Sequence, residues 1–278
     1  MLVNLSEILH DAAKNKYGIG YFNLIDTDML QATLDAAEET RSPIIIGSSE
    51  ELMHYVSLDL LAPSILENAK RASVPVAVHF DHGFTFEGCM EALRNGFTSI
   101  MFDGSSLPFE ENICKTREIV RVAHSFGASV EGEIGHVGQA NLSENAKEDL
   151  YTTAEQAIKF SQKTNVDALA VSIGTAHGKY IKTPKLDLER LKEIHSSVTT
   201  PLVLHGGSGV SEEDFKACVQ QGISKINVFT DLCAAGEAAG RASCKEGLHY
   251  VLQRQKRYEM MKESVIEKLK VFGSVNRV

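Results

Sequence analysis

Apolar residues in this chain follow two rhythms that take turns from one end to the other. Short, dense apolar runs, YGIGYFN, PIIIGSS, PVAVHFD, SIMFD, SVEGEIG, ALAVSIG, PLVLHG and SKINV, read as strands. Between them the apolar positions recur at helical spacing, as at Met29, Leu30, Leu34 and Ala37 in a helix expected from Asp28 to Arg41. The same spacing predicts helices over Leu60 to Ala72, Phe86 to Asn95, Phe109 to Ser125, Thr153 to Thr164, Leu188 to His195 and Ser211 to Gln221. The opening MLVNLSEILHDAAKNKYG reads as an amphipathic helix. From Gly247 onward the chain reads as one more, charged along its length.

Eight strands, each followed by a helix, predict an α/β fold in which a (β/α)8 TIM barrel closes on itself. An open doubly wound sheet is the alternative, but no G-x-G-x-x-G follows the first strand. No linker divides the chain, so residues 1–278 are expected to form a single domain. The additional C-terminal helix would pack outside the barrel or on a partner subunit. The 278 residues are 43% hydrophobic and 23% charged, a composition with ample core. The net charge of -9 comes without a basic block, which argues against nucleic acid or an anionic membrane as partner. No apolar stretch reaches membrane-spanning length and the start lacks a signal pattern, so a cytoplasmic protein is expected. The five cysteines form no C-x-x-C pair and are expected to pack as small hydrophobes rather than form disulfides.

Barrel chemistry belongs at the C-terminal ends of the strands, and polar residues collect there. Asp81, His82 and Gly83 end the third strand and Asp103 the fourth; Glu131 and Glu133 lie on the fifth; His177 and Gly178 follow the sixth; His205 and Gly206 end the seventh; Lys225 and Asn227 lie on the eighth. Three histidines at three strand ends, with one coordination position left open, describe a catalytic zinc site. Singly, each has a plainer reading: a histidine at a strand end is commonly a hydrogen-bonded structural residue, and Glu131 with Glu133 would pair with Lys225 inside the barrel. His10, His54, His124, His195 and His249 keep that plainer reading. HGGSGVSEED places glycines ahead of a helix whose start, Ser211 with Asp214, has capping-box spacing. Free N–H groups there, and after the eighth strand, suit a phosphate.

Together VHFDHG, VEGEIG, SIGTAHGKY, PLVLHGGSG and KINVFT resemble the motifs of the class II, metal-dependent ketose-bisphosphate aldolases, which include fructose- and tagatose-bisphosphate aldolases. The resemblance runs from Phe22-Asn23 to VFGS near the C-terminus. It implies that His82, His177 and His205 hold one Zn2+ per subunit and that Asp81 is the catalytic acid/base. Asp103 and Glu133 match carboxylates that hold the metal in an alternative position. Gly178, Gly206, Gly207, Ser208, Asn227, Val228, Phe229 and Thr230 match the site for the phosphate and hydroxyls of dihydroxyacetone phosphate, with Asn23 at its rim. A phosphorylated sugar substrate, a monovalent cation near the phosphate, a role in glycolysis or related carbohydrate metabolism and a homo-oligomer (dimer or tetramer) complete the expectation.

The chain departs from that pattern in three places. The loop GHVGQANLSEN replaces G-G-x-E-D, with Glu144 as the nearest acid; Phe229 replaces a small or polar residue; and GLHYVLQRQ replaces a D-P-R segment, with Val251 near the arginine's place and Arg254 three residues on. The aldehyde half of the substrate therefore either lacks a phosphate or is held by Arg254 or Arg257. A covalent route would need an inward strand lysine; the sixth strand has none, and Lys225 is expected to balance charge. The remaining readings are a metal-dependent hydrolase on the same barrel and a catalytically silent sugar-phosphate-binding barrel.

Overall fold

The computed structural model describes residues 1–135, 151–176 and 184–278. Its strands are β1 (Leu2–Val3), β2 (Ile19–Asn23), β3 (Ile44–Ser49), β4 (Val76–Gly83), β5 (Ser99–Phe102), β6 (Ser129–Ile134), β7 (Ala168–Val171), β8 (Leu202–Leu204) and β9 (Ile223–Val228). β2 to β9 pair in parallel with their sequence neighbours, and β2 pairs with β9, so the eight strands close into a barrel. The helices are α1 (Leu5–Asn15), α2 (Thr27–Thr40), α3 (Leu58–Arg71), α4 (Phe86–Arg94), α5 (Phe109–Ser125), α6 (Ala154–Thr164), α7 (Leu188–Ser197), α8 (Glu212–Gln220), α9 (Thr230–Lys245) and α10 (Tyr250–Phe272). The expected α/β barrel and its additional C-terminal helix are both present.

Helix boundaries fall within one or two residues of the apolar pattern, and the offsets have a cause. Thr153 and Ser211, counted as helical from the pattern, are the capping residues, whose side chains accept from the N–H groups of Gln156 and Asp214. At the C-terminus the helix starts at Tyr250 rather than Gly247, whose φ of 66° breaks the chain between α9 and α10. The pattern also missed β1. Leu2 and Val3 pair with Val76 and Ala77 of β4, and a strand of two residues is too short to show alternation.

Two apolar regions divide the work. One lies between the strands' outer faces and the helices; α10 is part of it, packed on α2 and α9 and burying Met261, Val265, Leu269 and Phe272. The other fills the lower barrel. Leu5, Ile8, Leu9 and Ala12 of α1, a helix held at its start by a reciprocal Asn4–Glu7 capping box, meet Ile19, Ile45, Ala77, Ala168, Ala170 and Val203. The alanines leave the room that the helix side chains take. Above this plug the interior turns polar, starting at Tyr21 and His79. At that level β3 and β4 approach so closely that a Cβ on Gly47 would lie 1.7 Å from the carbonyl oxygen of His79.

Leu9 is fully buried in the plug and remote in sequence from every candidate site residue. Leu9→Ala should lower stability by ~2–5 kcal/mol in thermal or denaturant unfolding while leaving the affinity for a divalent metal intact. An unchanged unfolding transition would show that α1 is not a structural plug.

Candidate functional site

Successive residues of a strand point to opposite faces, yet Asp81 and His82 both reach the barrel interior. The register between β4 and β5 slips between Phe80 and Gly83, and His82 adopts a φ of 42°. This bulge turns His82 back inward. A left-handed histidine is strained, and residues held that way collect where function requires their direction. Phe84 stacks on its ring at 6.1 Å, and the carboxylate of Glu50 accepts from the N–H groups of Phe84 and Thr85, pinning the chain beyond the bulge.

His82 and His205 meet edge to face, with His82 Nε2 3.0 Å from His205 Nδ1. Each has a carboxylate on its other nitrogen: Asp103 Oδ2 accepts from His82 Nδ1 at 2.8 Å, and Glu131 Oε1 accepts from His205 Nε2 at 2.8 Å. An ionised carboxylate only accepts, so these partners place the ring protons on the outer nitrogens and leave lone pairs on the two that face each other. Two lone pairs at that distance repel unless a cation lies between them. Burial works against a charge on His82, but Asp81, Asp103 and Glu133 outweigh it and raise its pKa to about 10. His205 is pushed down by burial and by His82, against its bond to Glu131. Without metal, a further proton on the pair therefore sits on His82 rather than His205. Ligand atoms of Asp81, His82 and His205 lie within 4.8 Å of one another, as do those of His82, Asp103 and Glu133, so the donor set fits a divalent metal.

Asp81 is 1% exposed and stands beside these rings. Asn227 Nδ2 donates to both its oxygens at 3.0 Å, and Asn23 Nδ2 donates to Oδ2 at 3.3 Å. Tyr21 in turn donates to Asn23 Oδ1 at 2.6 Å, which fixes that amide. Burial would raise the pKa of Asp81, but His82, His79, Lys225 and His205 hold the carboxyl well below the usual range. It is a charged carboxylate, desolvated and aimed. Below it, Lys225 Nζ lies 2.8 Å from Glu131 Oε2, as its expected charge-balancing role requires. Opposed by burial, Lys225 and His205 lower the pKa of Glu131 to about 2.

The model of the class II fructose-bisphosphate aldolases matches residues 3–277. The chain belongs to that family. It is 39% identical over 275 residues to a protein called uncharacterized YdjI from Escherichia coli K12, covering 99% of this chain and 98% of that one. To the fructose-bisphosphate aldolase of Staphylococcus aureus Mu50 it is 38% identical over 282 residues, 99% of each chain. Among solved structures, that of the YdjI aldolase superposes with a TM-score of 0.92 at 36% identity over 100% of this chain and 99% of that one. A putative fructose-1,6-bisphosphate aldolase from Coccidioides immitis gives 0.91 at 27% identity over 99% and 97%. A class II aldolase is a lyase, and the family is typically metal-dependent.

The other sequence candidates divide between this aldolase's site and its surroundings. His177, Gly178 and Glu144 lie outside the described residues. The turns after β8 and β9 abut: a Cβ on Gly207 would lie 2.9 Å from the carbonyl oxygen of Asn227, which brings Gly206, Gly207 and Ser208 beside Val228, Phe229 and Thr230. The helix dipole expected after HGGSG is already engaged, because Ser211 caps α8 and its first turn carries Glu212, Glu213 and Asp214. α9, starting at Thr230, has no side-chain cap, so it offers the better N-terminus for an anion. Asn227, expected among the phosphate residues, turns its amide to Asp81. Arg254 pairs with Asp28 at the start of α2. His124 keeps its structural reading through a 2.8 Å contact with Asp167, and all five cysteines are free. The sequence reading gave no role to His79, which is fully buried beneath Asp81. The signal was available: His79 lies two residues before Asp81 on one strand, so it shares that inward face.

Glu131→Ala would leave Lys225 buried without its carboxylate and free the His205 ring to rotate. Expected are a loss of ~3–5 kcal/mol in unfolding stability and a metal affinity weaker by about 10–100-fold in chelator competition. Wild-type values for both would contradict this account of the site.

Proposed function

We propose that this protein is a zinc-dependent class II aldolase that reversibly cleaves a ketose 1-phosphate or 1,6-bisphosphate to dihydroxyacetone phosphate and an aldehyde. The observation that carries the reading is the convergence of two imidazole nitrogens, each ring held at its other nitrogen by a carboxylate, beside a buried and oriented aspartate. Charge supports it: Asp81, Glu131 and Glu133 are buried with Lys225, an excess of negative charge suited to a divalent cation. Residues 1–278 would act as a single domain in a cytoplasmic homo-oligomer. No helix among the described residues is long and apolar enough to cross a membrane.

His82 and His205, with His177 as the resemblance implies, would hold the zinc. Asp103 and Glu133 stand by as further ligands. When bound there, zinc supplies Lewis-acid stabilisation of the charge that develops on the substrate carbonyl oxygen as the carbon–carbon bond breaks. Asp81 takes the proton of the C4 hydroxyl during cleavage and returns a proton to C3 of the enediolate. Asn227 and Asn23 keep its carboxylate turned toward that position. Backbone N–H groups of Gly206, Gly207 and Ser208 and of the start of α9, with a monovalent cation beside them, bind the 1-phosphate. At the far end, Arg254 is held by Asp28, which supports an aldehyde half without a phosphate.

A coupled assay for dihydroxyacetone phosphate tests this, run with zinc and with chelator on fructose 1,6-bisphosphate, tagatose 1,6-bisphosphate and several ketose 1-phosphates. Release should stop with chelator and return with zinc; release that survives chelation would sink the metal reading. Asp81→Ala should keep its zinc and lose ~10²–10⁴-fold in kcat. Equal turnover in that variant would rule out the role of Asp81. Ketose 1-phosphates should be cleaved at least as well as bisphosphates, and Arg254→Ala should leave KM for a bisphosphate unchanged; a raised KM would place the distal phosphate on Arg254.

A further inference from the structure

Beneath Asp81 lie four side chains to which the chemistry above assigns no step. Tyr21, His79, Glu131 and Lys225 are each fully buried. Burying charges in a barrel is costly, and apolar side chains of similar volume fill such a space at no loss of stability. Ligand atoms of His79, Asp81 and Glu131 lie within 4.8 Å of one another, a donor set that suits a cation. The ammonium of Lys225 stands in it, 2.8 Å from Glu131 Oε2, 3.9 Å from Asp81 Oδ1 and 4.8 Å from the centre of the Tyr21 ring. His79 Nδ1 is 2.9 Å from Ser99 Oγ, and its Nε2 points into the same space, 3.7 Å from both Asp81 Oδ1 and Glu131 Oε2.

The two oxygens of Asp81 therefore have different surroundings. Oδ1 faces this floor. Oδ2 faces Asn23 and, at 3.8 Å, His82 Nε2, on the side of the metal ligands. Asn227 bridges both and so cannot by itself decide which oxygen points up. The floor can, because its cation and its imidazole both come nearest to Asp81 at Oδ1. A nucleophilic role for Lys225 does not fit this placement: its amine lies under the carboxylate, ion-paired and fully buried.

We propose that Lys225, seconded by His79, is a positioning residue: a tethered cation that pins Oδ1 of Asp81 to the barrel floor and thereby presents Oδ2 to the substrate. The proposal rests on the reading of Asp81 as the acid/base.

The test compares zinc-loaded Lys225→Ala, His79→Asn, His79→Gln and Asp81→Ala. Readouts are zinc content, KM, kcat and the exchange of the C3 proton of dihydroxyacetone phosphate in deuterium oxide followed by NMR, a partial reaction that needs no aldehyde. Lys225→Ala should lose on the order of 10²-fold in kcat and in exchange, with zinc content and KM unchanged. Propylammonium, which restores the missing atoms, should recover part of both rates where sodium chloride does not. Asparagine at position 79 mimics Nδ1 and glutamine mimics Nε2, so His79→Gln should keep more activity than His79→Asn; this pair decides the matter should Lys225→Ala not fold. Wild-type rates in Lys225→Ala and His79→Asn beside an inactive Asp81→Ala would overturn the proposal while sparing the role of Asp81. Loss of zinc, a rise in KM in place of the fall in kcat, or a fall that neither propylammonium nor His79→Gln relieves would also overturn it. A fully active Asp81→Ala would remove the reading on which it rests.

Discussion

Among the described residues, three buried carboxylates and one buried lysine share the upper interior of this barrel, and the rest of the site is arranged around keeping that charge tolerable. Glu131 spends one oxygen on Lys225 and the other on His205. Asp81 is answered by two amides and by the cation beneath it, and Glu133 Oε2 lies 3.5 Å from His205 Nδ1. Among the described residues the balance is negative charge directed at the place where His82 and His205 face each other. A proton answers it in part, as the raised pKa of His82 shows, and a divalent metal answers it more fully. Holding such a metal and ionising Asp81 would thus draw on one electrostatic arrangement.

Stability and chemistry are kept at different heights. The lower barrel is hydrocarbon, closed by α1 against small side chains, and the outer layer of strands and helices is continuous apolar packing. That packing bears the cost of the polar half above, including a histidine in left-handed conformation and a fully buried lysine. The strain at His82 is local. Asp103 holds its ring, Phe84 lies against it, and Glu50 fixes the chain just past the bulge.

Recognition of the two ends of the substrate draws on different physics. In the proposed function the phosphate end would use backbone N–H groups from abutting glycine turns and an uncapped helix, fixed partial charges that need no flexible side chain. The opposite end would need a long basic side chain, and the nearest one by sequence is already paired with Asp28. An ion pair within one chain competes with any phosphate for the same guanidinium, so under the proposed function the pairing would bear on specificity.

Strand and helix order, the closed barrel and the rank of polar residues at strand ends were legible from the chain because each depends on local periodicity and on a rule that places barrel chemistry at one rim. That Asp81, His82 and His205 stand together at one rim was legible for the same reason. The two-residue β1 left no periodicity to read. His79 was missed because inward polar residues below the rim carry no motif, only an alternation of two that ordinary strands share. Which nitrogen of each histidine bears the proton, which oxygen of Asp81 faces the floor, and that Asn227 turns to Asp81 were settled by folding. Each depends on contacts between strands far apart in the chain, such as His205 with Glu131 and Asn227 with Asp81, at distances where a shift of one ångström makes or breaks a hydrogen bond. The order of residues specifies which groups exist and on which strand they stand; closing the barrel brings their charges within reach of one another.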